Sequence, residues 1–143
     1  MKCKYISSLV LLMTLVTSTV LAGGCAQKTE VTPQAVQDVT AQEAFNLIQE
    51  KQNNPDFIIV DVRTPQEFAD GHIEDAVNID FNSDNFKSDI SKLDRNKEYL
   101  IYCRSGSRSR GALEVMKELN FTKIYHLYEG IVGWTGNSYP TVK

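Results

Sequence analysis

The sequence predicts an α/β fold built on a central parallel sheet of about five strands flanked by helices. Two short, unbroken apolar runs, Phe57-Ile58-Ile59-Val60 and Tyr99-Leu100-Ile101-Tyr102, read as strands buried on both faces, the pattern of a parallel sheet. Segments of helical period alternate with such runs along the chain. Two of the helices open on a capping box, Thr40-Ala41-Gln42-Glu43 and Thr64-Pro65-Gln66-Glu67.

The first 24 residues stand outside that fold. Lys2 and Lys4 make a basic start, residues 6–20 carry no charge, and small residues follow at Ala22, Gly23 and Gly24. This is the layout of a secretory signal. A bilayer-spanning helix needs roughly 20 apolar residues; this run is shorter and diluted by hydroxyls, so a retained span is the weaker reading. Leu21-Ala22-Gly23-Gly24-Cys25 resembles a bacterial lipobox, in which the Cys is acylated and becomes the new N-terminus. Ordinary cleavage after Ala22 or Gly24 is the alternative. One acyl chain anchors weakly and several hold, so Cys25 is expected to keep the protein on a membrane. The expected location is the outer face of the cytoplasmic membrane or the periplasm. Residues 25–37 are polar, contain Pro33 and lack periodicity, and read as a lipidated Cys and tether. Residues 38–143 form the domain.

Within the domain, Val39 and Thr40 end a short first strand. Ala41, Ala44, Phe45 and Ile48 then recur at helical spacing until Asn53-Asn54-Pro55. The strand 57–60 follows. A short helix opens with Pro65 in its first turn and stops at Gly71. Residues 76–79 make a brief strand and 86–93 a helix. After the strand 99–102, residues 109–119 form a helix with Ala112, Val115, Met116 and Leu119 on one face. Residues 123–125 are the last short strand.

Cleavage before Cys25 leaves 119 of the 143 residues, enough for one domain with one core. The chain carries a net charge of −3; the signal takes two lysines and no acid with it, leaving −5. No basic stripe points to nucleic acid. No oligomer signal is visible, and a monomer is expected. Cys3 leaves with the signal and Cys25 is lipidated, so Cys103 is the one cysteine left inside the domain and no disulfide can form there. A lone Cys in an oxidising compartment points to a reactive thiol rather than a staple. The alternative is a buried Cys acting as a small hydrophobe.

Its neighbours favour reactivity. Cys103-Arg104-Ser105-Gly106-Ser107-Arg108-Ser109 leaves a buried strand and enters a helix, and ligands of open α/β sheets bind at the carboxyl ends of strands. A helix N-terminus offers unpaired N–H groups and partial positive charge. A small Gly- and Ser-containing loop can turn its amides inward as an anion nest. Arg104, Arg108 and Arg110 cluster here in a chain with five arginines. Such settings favour thiolate over thiol. The same features would also serve a loop that binds an anion without reacting.

The segment Cys103 to Arg108 resembles the six-residue active-site loop of rhodanese-type sulfurtransferases. Ile59-Val60-Asp61-Val62-Arg63, then Glu67-Phe68 and Gly71-His72-Ile73, is similar to the upstream rhodanese signature. Leu127-Tyr128-Glu129-Gly130-Ile131-Val132-Gly133-Trp134 is similar to the closing one. The chain departs from the family at Asp75 and Glu129, where rhodaneses usually have Gly. The resemblance implies a rhodanese-like fold and a two-step sulfur transfer. Cys103 would take the outer sulfur of a small anionic donor such as thiosulfate as a persulfide, and a thiol or cyanide acceptor would remove it. It also implies that Arg104, Ser105, Gly106, Ser107 and Arg108 bind the donor and that Asp61 and Arg63 lie near the pocket, with an internal ion pair as the plainer role for Asp61. No metal and no cofactor are implied. Trp134 is expected in the core or pocket wall, and Glu67 is accounted for as a helix cap.

Three rival readings share some of these features. Related phosphatases and arsenate reductases place Arg after Cys and five residues, where this chain has Ser109; Arg108 falls one residue early and Arg110 one late. A thiol–disulfide redox protein would lack a resolving Cys in the domain. A non-catalytic persulfide carrier or sulfur-binding module serving a protein partner would show the same loop.

Overall fold

The computed structural model describes residues 35–143. The signal, Cys25 and most of the tether lie outside the described residues. The elements run β1 (Ala35–Val39), α1 (Ala41–Lys51), β2 (Phe57–Asp61), α2 (Pro65–Asp70), β3 (Ala76–Asn78), α3 (Phe86–Ser91), β4 (Glu98–Tyr102), α4 (Ser107–Glu118), β5 (Lys123–Leu127) and α5 (Gly130–Gly136).

All five strands pair in parallel, in the order β1-β5-β4-β2-β3. Their carboxyl ends therefore share one edge, where Val39, Leu127, Tyr102, Asp61 and Asn78 stand in register. The apolar runs behave as their composition requires. Along β4, Tyr99 and Ile101 point into one layer with Val60, Ala112, Met116 and Ile124. Leu100 and Tyr102 point into the other with Ile59, Ala44, Leu127 and Trp134. Helices α3 and α4 supply the first layer and α1 and α5 the second.

Both expected capping boxes form, with Thr40 and Thr64 as N-caps and Glu43 and Glu67 reaching back to their amides. α3 and β3 stop two residues and one residue short of expectation, and four larger differences stand beside them. β1 starts at Ala35 and takes in residues assigned to the tether; as an edge strand it bonds on one side only, so the exposed Gln37 and Asp38 are tolerated in it. α4 starts at Ser107, two residues early, because Gly106 turns the chain into the helix at φ +88°. β5 runs on to Leu127 along its partners β1 and β4. α5 was not expected.

The departure at Asp75 falls on a backbone of φ +62°. That is the left-handed region glycine favours and aspartate tolerates better than most residues. Glu129 has ordinary helical φ, and its carboxylate accepts the Ala41 amide at 2.6 Å, tying α1 to the start of α5.

Candidate active site

Cys103 follows β4 directly, and α4 begins four residues later. The turn between them depends on Gly106. Its φ of +88° is left-handed, and a β-carbon there would collide with the Tyr128 carbonyl oxygen. The turn points amides at the sulfur: the Gly106 N–H donates to Cys103 Sγ at 3.2 Å. The Ser109 hydroxyl, in the first turn of α4, lies 3.4 Å from the same atom. Cys103 is 1% exposed, while Arg104, Ser105 and Ser107 are exposed. Burial pushes the thiol's pKa up. The Ser109 hydroxyl and the amides of Ser109, Ser105 and Gly106 outweigh it, and the net direction is down.

The loop rests on the closing segment of the chain. Amides at the start of α5 bond its carbonyls, Ile131 N–H to Cys103 O at 2.9 Å and Val132 N–H to Arg104 O at 3.1 Å. This approach needs Gly130, at φ +62°, where a β-carbon would strike the Arg104 carbonyl. The Leu127–Trp134 stretch thus supports the loop's backbone, and Trp134 packs in the core as expected, its indole N–H donating to Pro140 O at 2.8 Å.

Asp61 and Arg63 form the internal pair. The Arg63 guanidinium donates to Asp61 Oδ2 at 2.6 Å and to Gly71 O at 2.7 Å, with both residues buried. The Arg63 amide also donates to Asp61 Oδ1. Asn78 donates to the carbonyls of both residues, and the Val62 amide reaches Tyr102 O at 3.0 Å. The group braces the ends of β2, β3 and β4 beneath the loop.

Arg108 has a partner within the protein. It makes a two-pronged pair with Glu67, at 2.6 Å to Oε2 and 2.8 Å to Oε1. Glu67 is therefore both the α2 cap and the partner that fixes Arg108. This guanidinium, opposed by partial burial and helped by Thr64, holds the Glu67 carboxyl at about 2. The exposed Arg104 makes no ion pair among the described residues and carries the loop's unneutralised positive charge.

Three groups were not picked out as site residues. Ser109 Oγ lies 2.9 Å from His126 Nε2, and His126 Nδ1 lies 2.8 Å from Asp38 Oδ1. Strand alternation holds the clue. Asp38, His126 and Ile101 share a register row, and Cys103 has the parity of Ile101. All four thus belong to the sheet face that α4 covers, but the row exists only once the strand order is known.

The Rhodanese-like domain family matches residues 40–137. A sulfurtransferase of Allochromatium vinosum is 31% identical over 100 residues, covering 70% of this chain and 92% of that protein. A rhodanese-related protein from Thermoplasma volcanium superposes with a TM-score of 0.63 at 26% identity, over 74% of this chain and 97% of that one. A rhodanese-like domain protein from Staphylococcus aureus gives 0.60 at 28% identity, over 68% and 90%.

Proposed function

The chain belongs to the Rhodanese-like domain family, and from that premise we propose that it is a sulfurtransferase carrying sulfane sulfur as a persulfide on Cys103. The donor in this reading is a small anion such as thiosulfate, and the acceptor is a thiol or cyanide. The observation that carries the reading is the sulfur's surroundings: the domain's one cysteine is buried at a helix N-terminus, with the Gly106 amide and the Ser109 hydroxyl on Sγ.

The Cys103 thiolate attacks the outer sulfur of the donor. A new S–S bond forms, the donor's own S–S bond breaks, and sulfite leaves with the electron pair. The acceptor then attacks the terminal sulfur, and Cys103 departs as thiolate. Both states of the loop are anionic, and the inward amides stabilise either without rearrangement. Arg104 draws the anionic donor, and Arg108, held by Glu67, adds fixed positive charge at the loop's far end. The near-complete burial of Cys103 favours a slim donor sulfur and disfavours mixed disulfides with bulky thiols. Export and anchoring through Cys25 belong to the same proposal and rest on residues 1–25 of the sequence.

A second reading, a carrier that hands sulfur to one protein partner, is supported by the exposed apolar Tyr128 and Val132, whose backbones adjoin the loop. Thiocyanate production from thiosulfate and cyanide decides between the two. Many turnovers per protein are expected of the sulfurtransferase. A single equivalent, released once and not repeated, would assign the carrier role.

A further inference from the structure

A buried line of polar groups leads from the nucleophile to the protein surface. It runs Cys103 Sγ, Ser109 Oγ at 3.4 Å, His126 Nε2 at 2.9 Å from that hydroxyl, and Asp38 Oδ1 at 2.8 Å from Nδ1. Ser109 is fully buried and His126 is 1% exposed, but the Asp38 side chain at the far end is 60% exposed. We propose that Asp38, His126 and Ser109 form a proton relay that ionises Cys103, with His126 taking up the thiol proton through the Ser109 hydroxyl. The proposal rests on Cys103 being the nucleophile.

The geometry permits two complete hydrogen-bonding states. In one, Cys103 is a thiol: S–H donates to Ser109 Oγ, the Ser109 O–H donates to neutral Nε2, and Nδ1–H donates to Asp38. In the other, Cys103 is a thiolate: Nε2–H of the imidazolium donates to Ser109 Oγ, whose O–H turns to Sγ. Two protons move between the states, one from sulfur to oxygen and one from oxygen to nitrogen; a thiolate and an imidazolium form together, and the net charge is unchanged. In both states Nδ1–H stays on the Asp38 carboxylate, 2.8 Å away, which fixes the ring's orientation and tautomer. A third contact, Ser109 Oγ to Gly106 O at 3.1 Å, competes for the hydroxyl proton and keeps the serine side chain at the loop.

The charged groups around the relay are few among the described residues. Asp38 faces it from β1. Arg108 of α4 acts electrostatically on Cys103 and is itself paired with Glu67 of α2. Asp61 and Arg63 at the end of β2 neutralise one another. On β4, the neighbour of His126 in register is the apolar Ile101. His126 is thus the one group in contact with the Ser109 hydroxyl that can both accept a proton and pass it toward solvent. A buried chain of this kind is costly wherever a member lacks a partner, and here both ring nitrogens are partnered.

The test is the pH dependence of Cys103 alkylation by iodoacetamide in the full chain, read by peptide mass, for the wild type, His126→Gln and Asp38→Asn. Glutamine keeps hydrogen-bonding capacity but takes up no proton. The expected midpoint rises by about one pH unit in His126→Gln, a tenfold loss of thiolate, and by less in Asp38→Asn, with the high-pH limiting rate unchanged in both. Unmoved midpoints in both variants, with wild-type melting temperatures, would overturn the relay and leave a static polar contact. If His126→Gln does not fold, Asp38→Asn decides alone, since its side chain is mostly exposed. Thiosulfate loading of the wild type is scored separately, so a moved midpoint without persulfide would uphold the relay while removing the sulfur-transfer reading.

Discussion

At the scale of single residues, the site is a cysteine whose hydrogen-bonding surroundings lower its pKa and an arginine already spoken for. Arg108 is fixed by Glu67, so its charge is delivered as half of a bidentate pair rather than as a free hook. The pair has a pH signature. The Glu67 carboxyl is held at about 2 in the folded protein, below the roughly 4.3 of an unfolded chain. Its contribution is present above the unfolded value and is lost as pH falls toward the folded one. Both side chains keep some exposure, 23% and 31%, so solvent screening limits the pair. Glu67→Gln is expected to cost about 1 kcal/mol near pH 7. In thermal melts, the gap to wild type should narrow progressively below about pH 4; a gap that stays constant would contradict the assignment. Cys103, Gly106 and the small loop residues were legible in the sequence because a strand–Cys–Gly–helix order has few uses. The His126–Ser109 contact was not, because it joins residues 17 positions apart on elements whose adjacency the sequence does not state. Glu67 was read correctly as a cap and incompletely as a partner, since Arg108 lies 41 positions away.

The elements differ in how much local signal they carry, and the reasons are physical. The two central strands β2 and β4 and the two capped helices carry strong local signals: unbroken apolar runs, and Thr followed three residues later by Glu. Helix α5 carries almost none. Three of its seven residues are glycines, Gly130, Gly133 and Gly136, and glycine is a poor helix former. The helix is held by its tertiary setting, in which Ile131 and Trp134 are buried and the Ile131 and Val132 amides bond the active loop. Its first glycine therefore serves the site more than the helix. Gly130→Ala places a β-carbon against the Arg104 carbonyl at a left-handed φ. It is expected to destabilise by about 2 kcal/mol or more and to slow thiosulfate loading of Cys103. Urea unfolding and a loading time course check both. A wild-type midpoint and loading rate would show that the loop does not depend on this contact.

For the molecule as a whole, one parallel sheet does three things. Its strand order brings the ends of β4 and β2 together, so that the loop after Tyr102 sits over the Asp61–Arg63 brace. Its two covered faces bury the apolar runs. Its edge strand β1 carries Asp38 to the surface end of the line that leads to Cys103. Fold class and the placement of Cys103 between a strand and a helix could be read from local pattern; the supporting network could not, because it is a property of strand order. The proposed chemistry stands or falls on Cys103 carrying the sulfur. Its most direct test is the mass of the Cys103 peptide after incubation with thiosulfate and without reductant, beside Cys103→Ser. One added sulfur atom is expected on the wild-type peptide, none on the variant, and loss of the added mass when cyanide or a small thiol is supplied. An unchanged mass from thiosulfate or polysulfide, with a free thiol confirmed at Cys103, would contradict it.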